Sequence, residues 1–446
     1  MSHKARLYDD PGDRGVPLGR QRPTAYKLAG FHALPIGIAG MSFPTSGPGR
    51  GAAPSRGITL VLIALTALGP LSTDLYLPSL PTMGRDLGAD AATAQLTLTG
   101  YMWGLALAQL VYGPVSDALG RRPVLIAGMA VQVVASVLCL YSATIDQLVM
   151  ARVLQGAGAC AGAVIGRALV RDLFPPERAG SVFASITSAT ALAPMVAPMI
   201  GGQIEVLFGW RGNFAALGVI GILLIASAVT ILPEPITNRD LSRIRPVAIL
   251  RAMGELLHDR RFVGLGICTC SAFGALFAWV SNSSVLLIEG YGIRPERFGL
   301  YFGLAVAGYV AGAGIGGRLV MRLGSLRLLT IGLCLMATGG LVMLAQTLTG
   351  TDTALGVTAG AAFLLAGAGF ALPQAFTAAI LPYPHMAGTA SALIGSTQMT
   401  TGGIVAAATA PLADGTPIPI AGTILVLAAI ALTANRLLVH RPNRPV

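Results

Sequence analysis

The sequence predicts an all-α integral membrane protein of twelve transmembrane helices in two six-helix halves. Three observations carry that expectation. Charged residues make up only 11% of the 446, against about a quarter in an ordinary soluble protein. Hydrophobic residues make up 54% and come in long runs rather than short alternations; surface-to-volume scaling does not let a soluble fold of this size hide so many. From Gly57 onward 390 residues remain, which suits twelve spans of roughly 20 residues with short loops.

Charges, Pro and Gly punctuate the apolar runs and set the elements in order. The first six spans are expected at 57–80, 94–115, 123–142, 148–169, 180–203 and 213–232. The second six are expected at 262–282, 297–317, 326–346, 355–377, 388–411 and 417–435. The longest polar connection, 233–261, separates the halves. Residues 1–56 are rich in Gly, Pro and Arg, and their mildly apolar stretch 28–43 is broken by Pro35 and followed by Pro44. That composition reads as a disordered tail without a signal peptide. Met41 is a candidate start, because nothing upstream of it looks like structure. Residues 436–446 form a second tail.

The distribution of basic residues sets the orientation. With the N-terminus inside, 25 of the 30 Lys and Arg fall in cytoplasmic segments, six of them in the central loop. Both termini are therefore expected in the cytoplasm of a cell whose inner membrane holds the protein. The net charge of +11 has the same cause. No basic stripe or aromatic-interleaved patch is present, so a nucleic-acid partner is not expected. Cys139, Cys160, Cys268, Cys270 and Cys334 lie in apolar stretches, and the five His never cluster. Neither a metal, nor a haem or other cofactor, nor a disulfide framework is expected. No nucleophile, phosphate loop or attached soluble domain marks an enzyme.

The second and third spans are joined by Gly113-Pro-Val-Ser-Asp117-Ala-Leu-Gly120-Arg121-Arg122-Pro-Val-Leu125. This reads as a tight turn built by Gly113, Pro114 and Gly120, with an acid and two arginines at the membrane face. The stretch resembles the signature loop of the major facilitator superfamily, G-x-L-x-D-R-x-G-R-R-x-x-L, with Val115 in place of Leu and Ala118 in place of Arg. A worn copy recurs 204 residues later as Gly317-Arg-Leu319-Val-Met321-Arg322-Leu-Gly324, with Met321 in place of the acid. The resemblance implies two pseudo-symmetric halves and a charge cluster at Asp117, Arg121 and Arg122 that latches the cytoplasmic side. Ordinary positive-inside anchoring is the alternative.

The fifth span contains Ala193-Pro194-Met-Val-Ala197-Pro198-Met-Ile-Gly201-Gly202. It resembles the antiporter motif of drug-exporting members, with Ala197 replacing its first Gly, and implies export; a generic kinked packing helix is the alternative.

Asp74 is the one acid that falls inside an expected span, within Ser72-Thr-Asp74-Leu-Tyr76-Leu-Pro78-Ser-Leu-Pro81. An ionisable group at membrane depth costs several kcal/mol unless it faces a partner or a wet cavity, which makes it a functional candidate. Its alternative role is to cap the outer helix end. The stretch resembles the bicyclomycin/chloramphenicol-resistance group of drug:proton antiporters, where this acid is associated with proton coupling. Arg152 is the one basic residue inside a span away from the last three residues at either end, about 7–8 Å below the outer face, at a depth compatible with pairing to Asp74. Its Arg152-Val-Leu-Gln155-Gly156-Ala-Gly158 run resembles the superfamily's fourth-span motif, whose Arg is assigned to proton transfer. Snorkelling to the interface is the alternative.

In that fold spans one, four, seven and ten surround the central path. The resemblance therefore implies Tyr76, Gln155, Trp279, Asn282, Gln374 and Phe376 as cavity residues, although helix packing explains each one singly. Trp210-Arg211, in an outside loop, resembles a family interface anchor. The expected function is proton-driven export of small amphipathic drug-like molecules by a monomer in the lipid bilayer. Export of one metabolite, such as an amino acid, nucleoside or siderophore, remains the alternative.

Overall fold

The computed structural model describes residues 56–236, 239–240 and 246–440. The expected tails, apart from residues 56 and 436–440, lie outside the described residues. Among those described, the chain is helical without strands. The first half holds α1 (Arg56–Asp74), the short α2 (Leu80–Asp86), α3 (Ala91–Leu119), α4 (Arg121–Leu140), α5 (Ile145–Leu173), α6 (Pro176–Phe208) and α7 (Trp210–Ile231). A connecting helix, α8 (Pro246–His258), leads to α9 (Arg260–Ser284), α10 (Pro295–Leu323), α11 (Ser325–Leu348), α12 (Ala354–Ile380), α13 (Ala387–Thr409) and α14 (Ile418–Ala434).

Ten of these helices, counting α1 and α2 as one segment, are long and apolar enough to cross a membrane. The two remaining long ones, α3 and α13, pack against each other between the halves. Their Thr, Ser, Gln and Gly content lowers their hydropathy because one face of each meets protein rather than lipid.

The halves repeat each other's packing. In the first, α3 lies on α5 and α4 on α7; in the second, α10 lies on α12 and α11 on α14. Between the halves, α3–α13 is mirrored by α6–α10.

Two turns differ from expectation. The first span stops at Asp74 rather than continuing to residue 80, and resumes through a 3₁₀ turn, Leu77–Ser79, into α2. Pro78 and Pro81 have no N–H to offer the carbonyls of residues 74 and 77, so the helical ladder fails there. Conversely, Gly113 and Pro114 do not build a turn. They lie inside α3, and Ser116 Oγ donates to the Gly113 carbonyl at 3.0 Å. The turn is Gly120 alone, held at φ 105°, a region that favours glycine.

Trp210, expected in an outside loop, is instead the first residue of a helix. It opens α7 directly after Gly209, is 2% exposed, and donates Nε1–H to Asp86 at 3.0 Å. Arg211 stacks on its ring at 4.1 Å and donates to the Ser142 carbonyl.

Candidate transport site

Asp74 ends α1 and is 4% exposed. Its carboxyl has no hydrogen bond or ion pair with any described residue. On the same face of α1, Ile63, Ala67, Pro70 and Leu71 are half-buried, so Asp74 closes the deep end of a partly open stripe. Burial without a partner leaves the carboxyl free for a proton or a ligand.

Arg152 reaches the last turn of α1 from α5. It is fully buried and donates from Nη1 to the Ser72 carbonyl at 3.1 Å and to Gln155 Oε1 at 2.5 Å. No ion pair joins Asp74 to Arg152. The charge of Arg152 is instead taken by aromatic faces: its guanidinium carbon lies 4.3 Å from the Tyr76 ring, 4.2 Å from Tyr101 and 5.8 Å from Phe214. Desolvated cation–π contacts of this kind contribute about 2 kcal/mol each. Nε and Nη2 have no partner. Arg152 therefore does not snorkel; it sits inside the first half.

That geometry redistributes the expected cavity residues. Tyr76 and Gln155 belong to the arginine cage, where Tyr76 Oη meets Thr97 Oγ1 at 3.1 Å and Gln155 donates to Ser136 at 2.8 Å. Asn282 joins the halves, accepting from Gln95 at 3.2 Å and donating to Thr409 at 2.8 Å. Trp279 is fully buried with Nε1 unpartnered. Gln374 is 9% exposed and Phe376 is half-buried; two positions apart on α12, they face opposite sides.

The charged loop forms a compact cluster. Asp117, on the last turn of α3, pairs with Arg121 on the first turn of α4. Arg121 also donates to Asp172 at 2.8 Å and to Ser116 Oγ at 2.7 Å. Arg122 reaches the carbonyls of Ala228 and Val229. Glu234, beyond α7, accepts from the backbone N–H of Arg121 at 3.1 Å and of Arg122 at 2.9 Å. A carboxylate at a helix N-terminus satisfies free donors and the dipole together. A cavity of about 530 Å³ lies among Asp117, Arg121, Asp172, Pro235 and Ile236. In the worn copy Gly324 keeps the turn, at φ 78°, while Met321 stands 90% exposed where the first loop has its acid.

Pro194 and Pro198 lie inside α6. A methyl group on Gly201 would come within 1.6 Å of the Leu75 carbonyl oxygen, and one on Gly202 within 2.4 Å of that of Pro295. The motif thus marks where α6 meets the end of α1 and the start of α10. Cross-half bonds run from the bundle's middle to the end remote from the Arg121 loop: Ser396 to Ala106 at 2.9 Å, Thr99 to Gly403 at 3.3 Å, and Gln95 to Asn282.

Sequence reasoning missed Tyr101, Asp172, Glu205 and Glu234. Glu205, one turn beyond Gly201, is 8% exposed with Oε2 unpartnered. An acid two residues past an expected span end gives no sign of burial in the sequence, and α6 packs against α10, α1, α7 and the 3₁₀ turn.

Two pseudo-symmetric helical halves of apolar spans, a buried acid at the end of the first span and a charged cluster in the loop after the second define a two-half membrane transporter. The Major Facilitator Superfamily profile matches residues 62–407. The chain belongs to that family. An uncharacterised MFS-type transporter of Bacillus subtilis strain 168, YdgK, is 36% identical over 84% of this chain and 94% of its own length. A bicyclomycin resistance protein homolog of Haemophilus influenzae is 30% identical, over 86% and 96% respectively. A chloramphenicol resistance protein of Pseudomonas aeruginosa is 33% identical, over 75% and 79%. The partially occluded, inward-open xylose transporter XylE of Escherichia coli shares the fold, with a TM-score of 0.66 at 15% identity over 85% of this chain and 96% of that one.

Proposed function

We propose that this protein is a secondary active exporter of amphipathic drug-like molecules, driven by protons entering in exchange. It acts as a transporter and not as an enzyme, as a monomer in the cell's inner membrane with both termini in the cytoplasm. The observation that carries this is Asp74, a carboxyl buried without a hydrogen-bond or ion-pair partner among the described residues, at the end of the partly open face of α1. The similarity to relatives named for bicyclomycin and chloramphenicol resistance supports a drug-like substrate.

With the Arg121 loop in the cytoplasm, the structure is closed toward the outside. Asp74 receives a proton while the outer end is open, and closure carries that proton inward. Release toward the cytoplasm recharges the carboxylate, and substrate enters from the inner side. The halves then rock about the midplane, with Asp117, Arg121 and Arg122 gripping the cytoplasmic end in the other conformation. A proton gradient supplies about 1.4 kcal/mol per pH unit. Arg152 sets the shape of α1 around Asp74 through the Ser72 carbonyl and Tyr76.

The test is substrate-driven proton movement in inside-out vesicles across a panel of amphipathic antimicrobials. A compound that collapses the pH gradient with the intact protein, and fails to with Asp74→Asn, is the expected result. A variant that couples as well as the parent would falsify the role of Asp74.

A further inference from the structure

The connecting helix α8 is outside the twelve spans, yet it carries an apolar face that none of the described residues covers. Its positions divide into three sectors at about 100° per residue. Ile249, Ala252, Met253 and Leu256 face the bundle, where Leu256 is fully buried and α8 packs against α13 and α9. Val247, Leu250 and Leu257 form the next sector, exposed by 71%, 67% and 57%. Arg251, Glu255 and His258 are exposed on the third. Bundle, apolar flank and polar flank therefore follow one another around the helix. A helix that merely crossed from one half to the other through water would carry polar residues on both flanks.

We infer that α8 lies in the surface of the bilayer, with Val247, Leu250 and Leu257 inserted at the headgroup–acyl boundary of anionic lipids. Two observations select lipid as the occupant. The first is continuity: α8 ends at His258, Asp259 caps α9 by accepting from the Arg261 N–H at 2.7 Å, and α9 is a membrane-spanning helix. Leu257 thus sits three residues before a span begins. The second is charge: Arg251 borders the apolar sector, and Arg260 and Arg261 are exposed at the adjoining helix start. Basic residues flanking an inserted apolar face are what anionic headgroups hold, each Arg adding about 1 kcal/mol near such a surface.

Docking has a mechanical consequence. Asp259 also accepts from the Tyr383 hydroxyl, which lies in the connection between α12 and α13. A helix fixed in the bilayer surface therefore holds three elements of the second half at their basic end while the first half moves. The composition of the lipid at this end sets the transport rate.

The experiment uses the full chain in proteoliposomes of phosphatidylethanolamine and phosphatidylglycerol. Leu250→Trp adds one indole to the three native tryptophans, and the increment in fluorescence reports its surroundings. Lipids brominated at the sixth and seventh acyl carbons are expected to quench that increment by more than half, and aqueous iodide by little. Quenching by iodide alone would mean a face in water. Quenching by neither would mean that protein, such as a second copy, covers it; either result overturns the inference.

Replacing phosphatidylglycerol by phosphatidylcholine is expected to slow the parent at least threefold. The double variant Leu250→Glu/Leu257→Glu should lose that dependence while eluting as the parent does. A double variant that keeps the full lipid dependence, or that converts a dimer to a monomer, also overturns it.

Discussion

At the scale of single residues, the arginine cage shows how a membrane protein keeps a buried charge without a buried counter-charge. A carboxylate beside Arg152 would neutralise it, but would also hold that carboxylate charged and useless as a proton carrier. Two aromatic faces, a carbonyl and an amide oxygen stabilise the guanidinium while leaving Asp74 alone. The ring of Tyr101, not its hydroxyl, does most of this. Tyr101→Phe keeps the face and loses the bond to the Gly69 carbonyl at 3.0 Å, a cost of about 1 kcal/mol. Tyr101→Leu loses the face as well, and the stability should fall by a further ~2 kcal/mol. Thermal unfolding of the purified proteins separates the two, and equal losses would show that the ring is only packing.

At the scale of elements, α6 illustrates why small residues recur in the antiporter motif. Gly201 abuts a carbonyl of the first half and Gly202 a carbonyl of the second, so two interfaces converge on one helical turn. Gly201→Ala already forces backbones apart and should cost at least the upper part of the ~1–3 kcal/mol range for overpacking. Gly180→Ala on the same helix meets nothing within 4 Å and should be neutral or gain ~0.5–1 kcal/mol. The yield of folded protein after gel filtration, measured for both variants, checks the contrast.

The same elements show what was legible beforehand. Long apolar runs announced the spans, and a lone acid at depth announced Asp74, because burial of charge is costly wherever it occurs. The end of α1 was not legible, since Pro78 and Pro81 act on carbonyls four residues back and hydropathy does not register them. Glu234, between two prolines, read as polar linker; its partners, the Arg121 and Arg122 amides, lie more than a hundred residues away in sequence. Tyr101 gave no signal at all, because an aromatic ring on an apolar helix does not disclose the cation it will face.

At the scale of the whole molecule, alternating access requires that neither closed end be too stable, because transport crosses both. The remote end is sealed by few polar bonds, and Asn282 is central among them. Gln95 is fully buried, its Oε1 has no partner, and its Nε2 donates to Asn282. Asn282→Ala therefore leaves the whole Gln95 amide unpaired in the closed form, while water satisfies it in the open one. A buried unpaired group costs about 1–3 kcal/mol, and each 1.4 kcal/mol shifts a two-state equilibrium roughly tenfold. A cysteine at position 99, where Thr99 is 3% exposed beside Gly403 in the seal, reports the open form by its maleimide labelling from outside the cell. Labelling of Thr99→Cys should rise about tenfold when Asn282→Ala is added, and export should slow because the inward-facing form is depleted. Unchanged labelling would assign the seal to the backbone contacts of Gly202 and Gly299 across the halves, with the Gln95–Asn282 bond only riding on them.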